Sequence, residues 1–164
     1  MRAIRMISGS ARSGSSRAIA GDAKLHFLNR SQFESLSSLA EVVVPGSSEA
    51  KVAGFIDLLL SVDEEKHQKE FARSLAALEA ESTKRYNKGS IAISAAEKTE
   101  LLTYVSSLAE DGPSGTALRE AFANLKEWVS GAYYSSEMGM RELGWTPDRV
   151  FAGFPGCSHG DSHD

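Results

Sequence analysis

A chain of 164 residues with 41% hydrophobic and 24% charged residues can bury one continuous core, and its balance excludes both a disordered and a membrane-embedded polypeptide. A formal net charge of -4 offers no broad attraction to phosphate backbones, so nucleic acid is not an expected partner. The longest apolar runs, such as Leu58-Leu59-Leu60, fall far short of the roughly 18 residues needed to cross a bilayer, and the one cysteine, Cys157, excludes an internal disulfide.

Residues 1 to about 24 are Ser, Gly, Ala and Arg with few large apolar groups, which bury too little surface to offset the entropy of ordering them. Residues 1–27 are therefore read as a flexible basic arm and residues 28–164 as one domain. The arm carries Arg2, Arg5, Arg12 and Arg17 but lacks the apolar stretch of about 7 to 15 residues of a secretion signal, so no export signal is expected in it. From Ser31 the pattern changes. Ser31-Gln32-Phe33-Glu34 reads as a capping box, opening a helix that runs to about Val43 and stops at Pro45-Gly46.

Val52, Phe55, Ile56, Leu59 and Leu60 then recur at the spacing of one apolar stripe of an amphipathic helix. A third helix follows from about Glu64 to Tyr86, with Phe71, Leu75 and Leu78 on one side and Glu64, Glu65, Glu70, Glu79 and Glu81 on a hydrated face. Asn87-Lys88-Gly89 breaks it. Ser94-Ala95-Ala96-Glu97 repeats the capping-box signature before Leu101, Leu102, Val105 and Leu108. After Asp111-Gly112-Pro113, a fifth helix carries Leu118, Phe122, Leu125, Val129 and Tyr133, and a short sixth spans Glu137 to Leu143, closed by Gly144. Only Met1 to Ser8 and Val42-Val43-Val44 have strand character. The expected fold is all-α: a bundle of five to six helices with an N-terminal arm and an irregular C-terminal tail.

Three motifs suggest chemistry. The Gly/Ser-rich loop Ser8 to Ser16, after Ile4-Arg5-Met6-Ile7, resembles the flavin-phosphate loop that opens flavodoxin-like FMN reductases, but the strands such a fold needs do not follow it. As a nucleotide P-loop it has Ser15 where the phosphate-binding lysine belongs. Cys157, His159, Asp161, His163 and Asp164 have the ligand types of a metal site, on a Gly/Ser-rich tail that gives them no fixed geometry. His26 and His67 stand alone and read as surface histidines. No catalytic, cofactor-binding or metal-binding residue is assigned to this chain.

The most distinctive stretch is Tyr133 to Trp145, followed by Phe154-Pro155-Gly156-Cys157. Its aromatics and methionines suit an adaptable contact surface, so Tyr133, Tyr134, Glu137, Met138, Met140, Leu143, Trp145, Phe154, Pro155 and Cys157 are the expected partner interface. Covering the open end of the bundle core is the competing use.

In order and spacing the chain resembles the gluconate 2-dehydrogenase subunit 3 family. The resemblance rests on Val44-Pro45-Gly46, Ala53-Gly54-Phe55-Ile56-Asp57-Leu58-Leu59-Leu60, Phe71 to Glu79, Arg85-Tyr86-Asn87-Lys88, Tyr133 to Trp145 and the closing Phe154-Pro155-Gly156-Cys157, over about residues 28–159. It implies a non-catalytic small subunit that stabilises and helps mature or export a large FAD-containing partner of the glucose-methanol-choline oxidoreductase class. That partner would oxidise a sugar, sugar acid or glycoside and pass electrons to a cytochrome c. By this resemblance FAD belongs to the partner, and no cofactor to this chain. The resemblance implies a periplasmic location, but the family's twin-arginine signal is not matched here, since Arg2 and Arg5 are not adjacent and no apolar stretch follows, which leaves the cytoplasm open. The alternatives are an FMN-binding reductase using the Ser8 to Ser16 loop, and a stand-alone helical binding module with a metal-sensing tail.

Overall fold

The first helix, α1 (Arg30–Val43), starts two residues earlier than the Ser31 box implies. In the computed structural model, which describes residues 24–108 and 113–146, Asn29 is the cap: its side chain accepts from the Gln32 amide at 2.9 Å, and Gln32 Oε1 accepts from the Asn29 amide at 3.0 Å. Hydrophobicity explains the shift. With Asn29 as the cap, Leu28 and Phe33 take the two positions of a hydrophobic staple, and both pack on the core. A cap at Ser31 would put Arg30 and Ser35 there instead.

The remaining helices are α2 (Val52–Val62), α3 (Glu65–Tyr86), α4 (Ala95–Ser107), α5 (Pro113–Tyr134) and α6 (Glu137–Glu142), with no strand among the described residues. The fold is all-α, as expected. The Ser94 box holds: Ser94 Oγ accepts from the Glu97 amide, and Glu97 accepts from the Ser94 amide at 2.7 Å. Asn87 ends α3 in the left-handed conformation, φ 55°, which asparagine tolerates better than most residues.

The two longest helices, α3 and α5, pack most extensively on each other, and α1, α2 and α4 close the bundle around them. Leu36, Ile56, Phe71, Leu101 and Leu125, one from each of the five long helices, are fully buried in one cluster. Each such side chain contributes roughly 1.5–3 kcal/mol by leaving water. Phe71 of α3 meets Trp128 of α5 edge to face, ring centroids 5.6 Å apart.

Two expectations are corrected by burial. The charged face of α3 is not uniformly hydrated: the Glu79 carboxylate accepts hydrogen bonds from the hydroxyls of Ser35 and Ser90, both buried, and from the Ser90 amide at 3.1 Å. Glu81 is also buried and pairs with Lys84 and Arg85, each at 3.1 Å. Nor is α2 amphipathic. Val52, Ile56 and Leu60 face the core with Ala53 and Asp57, whereas Phe55 is exposed and Leu59 only half-buried.

Asp57 is the polar centre of that packing. Its carboxylate accepts from the amides of His26, Phe27 and Leu28 at 2.7, 3.0 and 2.7 Å, so residues 26 and 27, expected within the arm, are held against α2. Burial alone would push the carboxyl up. The three amides outweigh it and hold Asp57 below the ordinary carboxylate value.

Candidate docking surface

The outward side of α2 and the adjoining end of α5 together expose Phe55, Leu58, Val62 and Tyr134. A groove of about 660 Å³ runs between them, lined by Phe55, Leu59 and Trp128, with the exposed side chains of His67, Glu70 and Glu127 alongside. A second depression of about 430 Å³ shares Phe55, Ala132 and Ser135 with the first and adds Gly54 and Leu58. Along α2, Leu58 is 46% and Val62 80% exposed.

Half of the residues lining the larger groove are polar: His67, Glu70, Asn124, Glu127 and Ser135. Asn124 Oδ1, which lines the larger groove, is buried with no hydrogen-bond partner. His67 Nδ1 lies 3.0 Å from Asp63 Oδ1; the hydrogen bond and charge of Asp63 raise the histidine above its ordinary value. This pairing accounts for His67 as an exposed helix-start ion pair. Among the described residues no group of three or more His, Cys, Asp or Glu could hold a metal ion, and no helix is long and apolar enough to cross a membrane.

The sequence-expected interface divides when placed in the fold. Tyr133 is a core residue, 1% exposed, with its hydroxyl donating to Glu142 at 2.7 Å. It holds the end of the bundle and is not available as a contact side chain. Met138 is partly buried on the same cluster, and a side chain at Gly46 would meet both it and Tyr133. Met140 is half-buried. The exposed members are Tyr134, Leu143 and Trp145, together with Glu137, which pairs with Arg141 at 2.6 Å. Phe154, Pro155 and Cys157 lie outside the described residues, as do the Ser8 to Ser16 loop and the His159 to Asp164 cluster.

Sequence reasoning missed Leu58 and Val62 as exposed apolar residues, and assigned Phe55 to the core. A usable signal was present: α2 has a single charged residue, so polarity cannot mark an outer face.

No curated protein and no solved structure matches this chain. Residues 30–156 match gluconate 2-dehydrogenase subunit 3, so the match takes in all six helices and continues past Trp145 to Gly156. The chain belongs to the gluconate 2-dehydrogenase subunit 3 family, whose name describes a subunit of a dehydrogenase complex.

Proposed function

We propose that this chain is the non-catalytic small subunit of a sugar, sugar-acid or glycoside dehydrogenase, stabilising and helping to mature or export a large FAD-dependent subunit of the glucose-methanol-choline class. The large subunit carries the flavin and the substrate, and its electrons pass to a cytochrome c or another acceptor. The family match over residues 30–156 carries this reading. Physical support comes from α2: a helix that turns Phe55, Leu58 and Val62 to solvent is suited to burial against another polypeptide.

The test is purification of the tagged full-length chain from its source. A larger, yellow subunit should accompany it in fixed proportion, release FAD on denaturation and oxidise a sugar or glycoside. The large subunit made without this chain should be less soluble or less flavinated. If the tagged chain emerges alone and colourless at every stage, the small-subunit reading is wrong. Sugar turnover by the isolated chain would refute the non-catalytic part of it.

A further inference from the structure

Helix α2 has the polarity of a surface helix reversed. Its one charged residue, Asp57, is 2% exposed, while Phe55, Leu58 and Val62 on the outward side are 39%, 46% and 80% exposed. A helix that is apolar all round is normally buried, and the chain's own core covers only half of this one.

Two glycines point the same way. Gly54 of α2 and Gly131 of α5 lie within helices, where glycine is disfavoured by roughly 0.5–1 kcal/mol relative to alanine. Neither is required by the fold. Neither has a positive φ, and a Cβ at either position would meet nothing within 4 Å. Both line the apolar surface, Gly131 in the larger groove and Gly54 in the smaller. There the missing side chains let a second backbone approach.

The polar groups define what that second backbone carries. Glu70 and Glu127, exposed beside the groove, have no ion-pair partner among the described residues. We infer that the α2–α5 groove seats an apolar segment of the large dehydrogenase subunit that bears a lysine or arginine. Its apolar side chains cover Phe55, Leu58 and Trp128, and its main chain passes close at Gly54 and Gly131. Its cation faces Glu70 and Glu127. This rests on the small-subunit reading and places its interface on α2 and α5, not on the Tyr133 to Trp145 stretch alone.

The other occupants fit less well. A second copy docking by two-fold symmetry would offer Glu70 and Glu127, from the lining of the two depressions, only Lys51 and His67, the latter already paired with Asp63. Residues 1–23 have suitable charge, but in the sequence their large apolar residues Ile4, Met6 and Ile7 are followed by a Ser/Gly-rich stretch. Ordering that stretch costs about 1–2 kcal/mol per residue while burying little.

The experiment uses the full-length chain and its native large subunit. Gly54→Leu and Gly131→Leu should each leave the isolated chain folded and lower affinity for the large subunit at least tenfold. Glu127→Lys should also weaken it, whereas Ile91→Lys, at an exposed apolar position on the loop before α4, should leave it unchanged. In a Cys157→Ser background, the thiol of Leu58→Cys should alkylate freely in the isolated chain and at least tenfold more slowly in the complex. If the unmodified pair does not assemble, the small-subunit reading fails and takes this inference with it. If the pair assembles but the glycine variants bind normally, or the thiol stays reactive in the complex, only the groove assignment is overturned. Protection of the thiol in the isolated chain would overturn it too, assigning the groove to the arm, or to a second copy if the chain sediments as a dimer.

Discussion

The carboxylate of Asp57 accepts a hydrogen bond from the amide of Leu28 at 2.7 Å across twenty-nine positions of sequence. It fixes the residues before α1 to the inner face of α2, and three buried or half-buried amides depend on it. Asp57→Ala leaves all three without their acceptor. The expected loss is about 3 kcal/mol, read as a lower urea midpoint with an unchanged slope. A midpoint within about 0.5 kcal/mol of the parent would show that water replaces the carboxylate at little cost.

The same contact sets an acid limit. Asp57 titrates below its ordinary value of 3.8, burial being outweighed by the amides of Leu28, His26 and Phe27. Glu41 titrates below 4.5, its burial outweighed by the amides of Gly46 and Ser48. For a carboxyl whose folded value is depressed, the stabilisation is complete above the unfolded value and disappears as pH falls through the folded one. Stability should therefore hold down to about pH 5 and drop steeply below about pH 4, with Asp57→Ala showing a shallower acid limb. A parallel acid limb in that variant would assign the effect to other carboxyls.

Tyr133 gives an alkaline counterpart. Its hydrogen bond to Glu142, with burial and the Glu142 charge, raises its hydroxyl to about 12. Because the folded value lies above the unfolded value of 10.0, this contribution is intact below pH 10 and is lost as pH rises toward 12. Burial also raises the Tyr86 hydroxyl, so ultraviolet titration should show Tyr133 as the last of the late tyrosines, and Tyr133→Phe should remove that last step at a cost of about 1 kcal/mol. A titration unchanged by Tyr133→Phe would assign the late step elsewhere.

Glycines on α5 and α6 should respond in opposite directions. A Cβ at Gly139 would lie 2.3 Å from the Tyr133 carbonyl oxygen, and backbone cannot step aside, so Gly139→Ala should destabilise by about 3 kcal/mol or more. Gly131→Ala meets open space and should raise stability by about 0.5 kcal/mol. Thermal melts of the two variants decide this, and a shift of the same sign in both would refute it.

Glu79 joins α1, α3 and the loop before α4 through Ser35 and Ser90. Removing the carboxylate leaves two buried hydroxyls to satisfy only each other, 2.9 Å apart, so Glu79→Ala should cost about 2 kcal/mol. The serine variants should be non-additive with it in a double-mutant cycle. Strict additivity would mean that the three side chains act independently.

Helix positions were legible in the sequence because periodicity and breakers are local: Ser94 with Glu97, Asn87 and Gly144 mark ends through their own backbone preferences. The start of α1 was misread because two capping frames overlap, and the choice between them depends on where Leu28 and Phe33 pack. Asp57 and Glu79 were hidden for another reason. Their partners lie far away in sequence, and a carboxylate reads as hydrated until the fold brings amides or hydroxyls to it. In the candidate surface, aromatic content singled out Tyr133 to Trp145, but it could not separate Tyr133, which fills the core, from exposed Tyr134 beside it. The outward side of α2 was missed because both its faces are apolar, and a period cannot assign which one turns inward.

The close seat of Gly139 on the backbone of Tyr133 and Tyr134 sets α6 against the end of α5 at a separation that a side chain there would not allow. Tyr134 and Leu143 on the corner, and Ala132 and Ser135 beside the groove, therefore take their spacing from this joint. A companion protein that touched both regions would meet them across this one joint, so a side chain added at Gly139 would be felt in both.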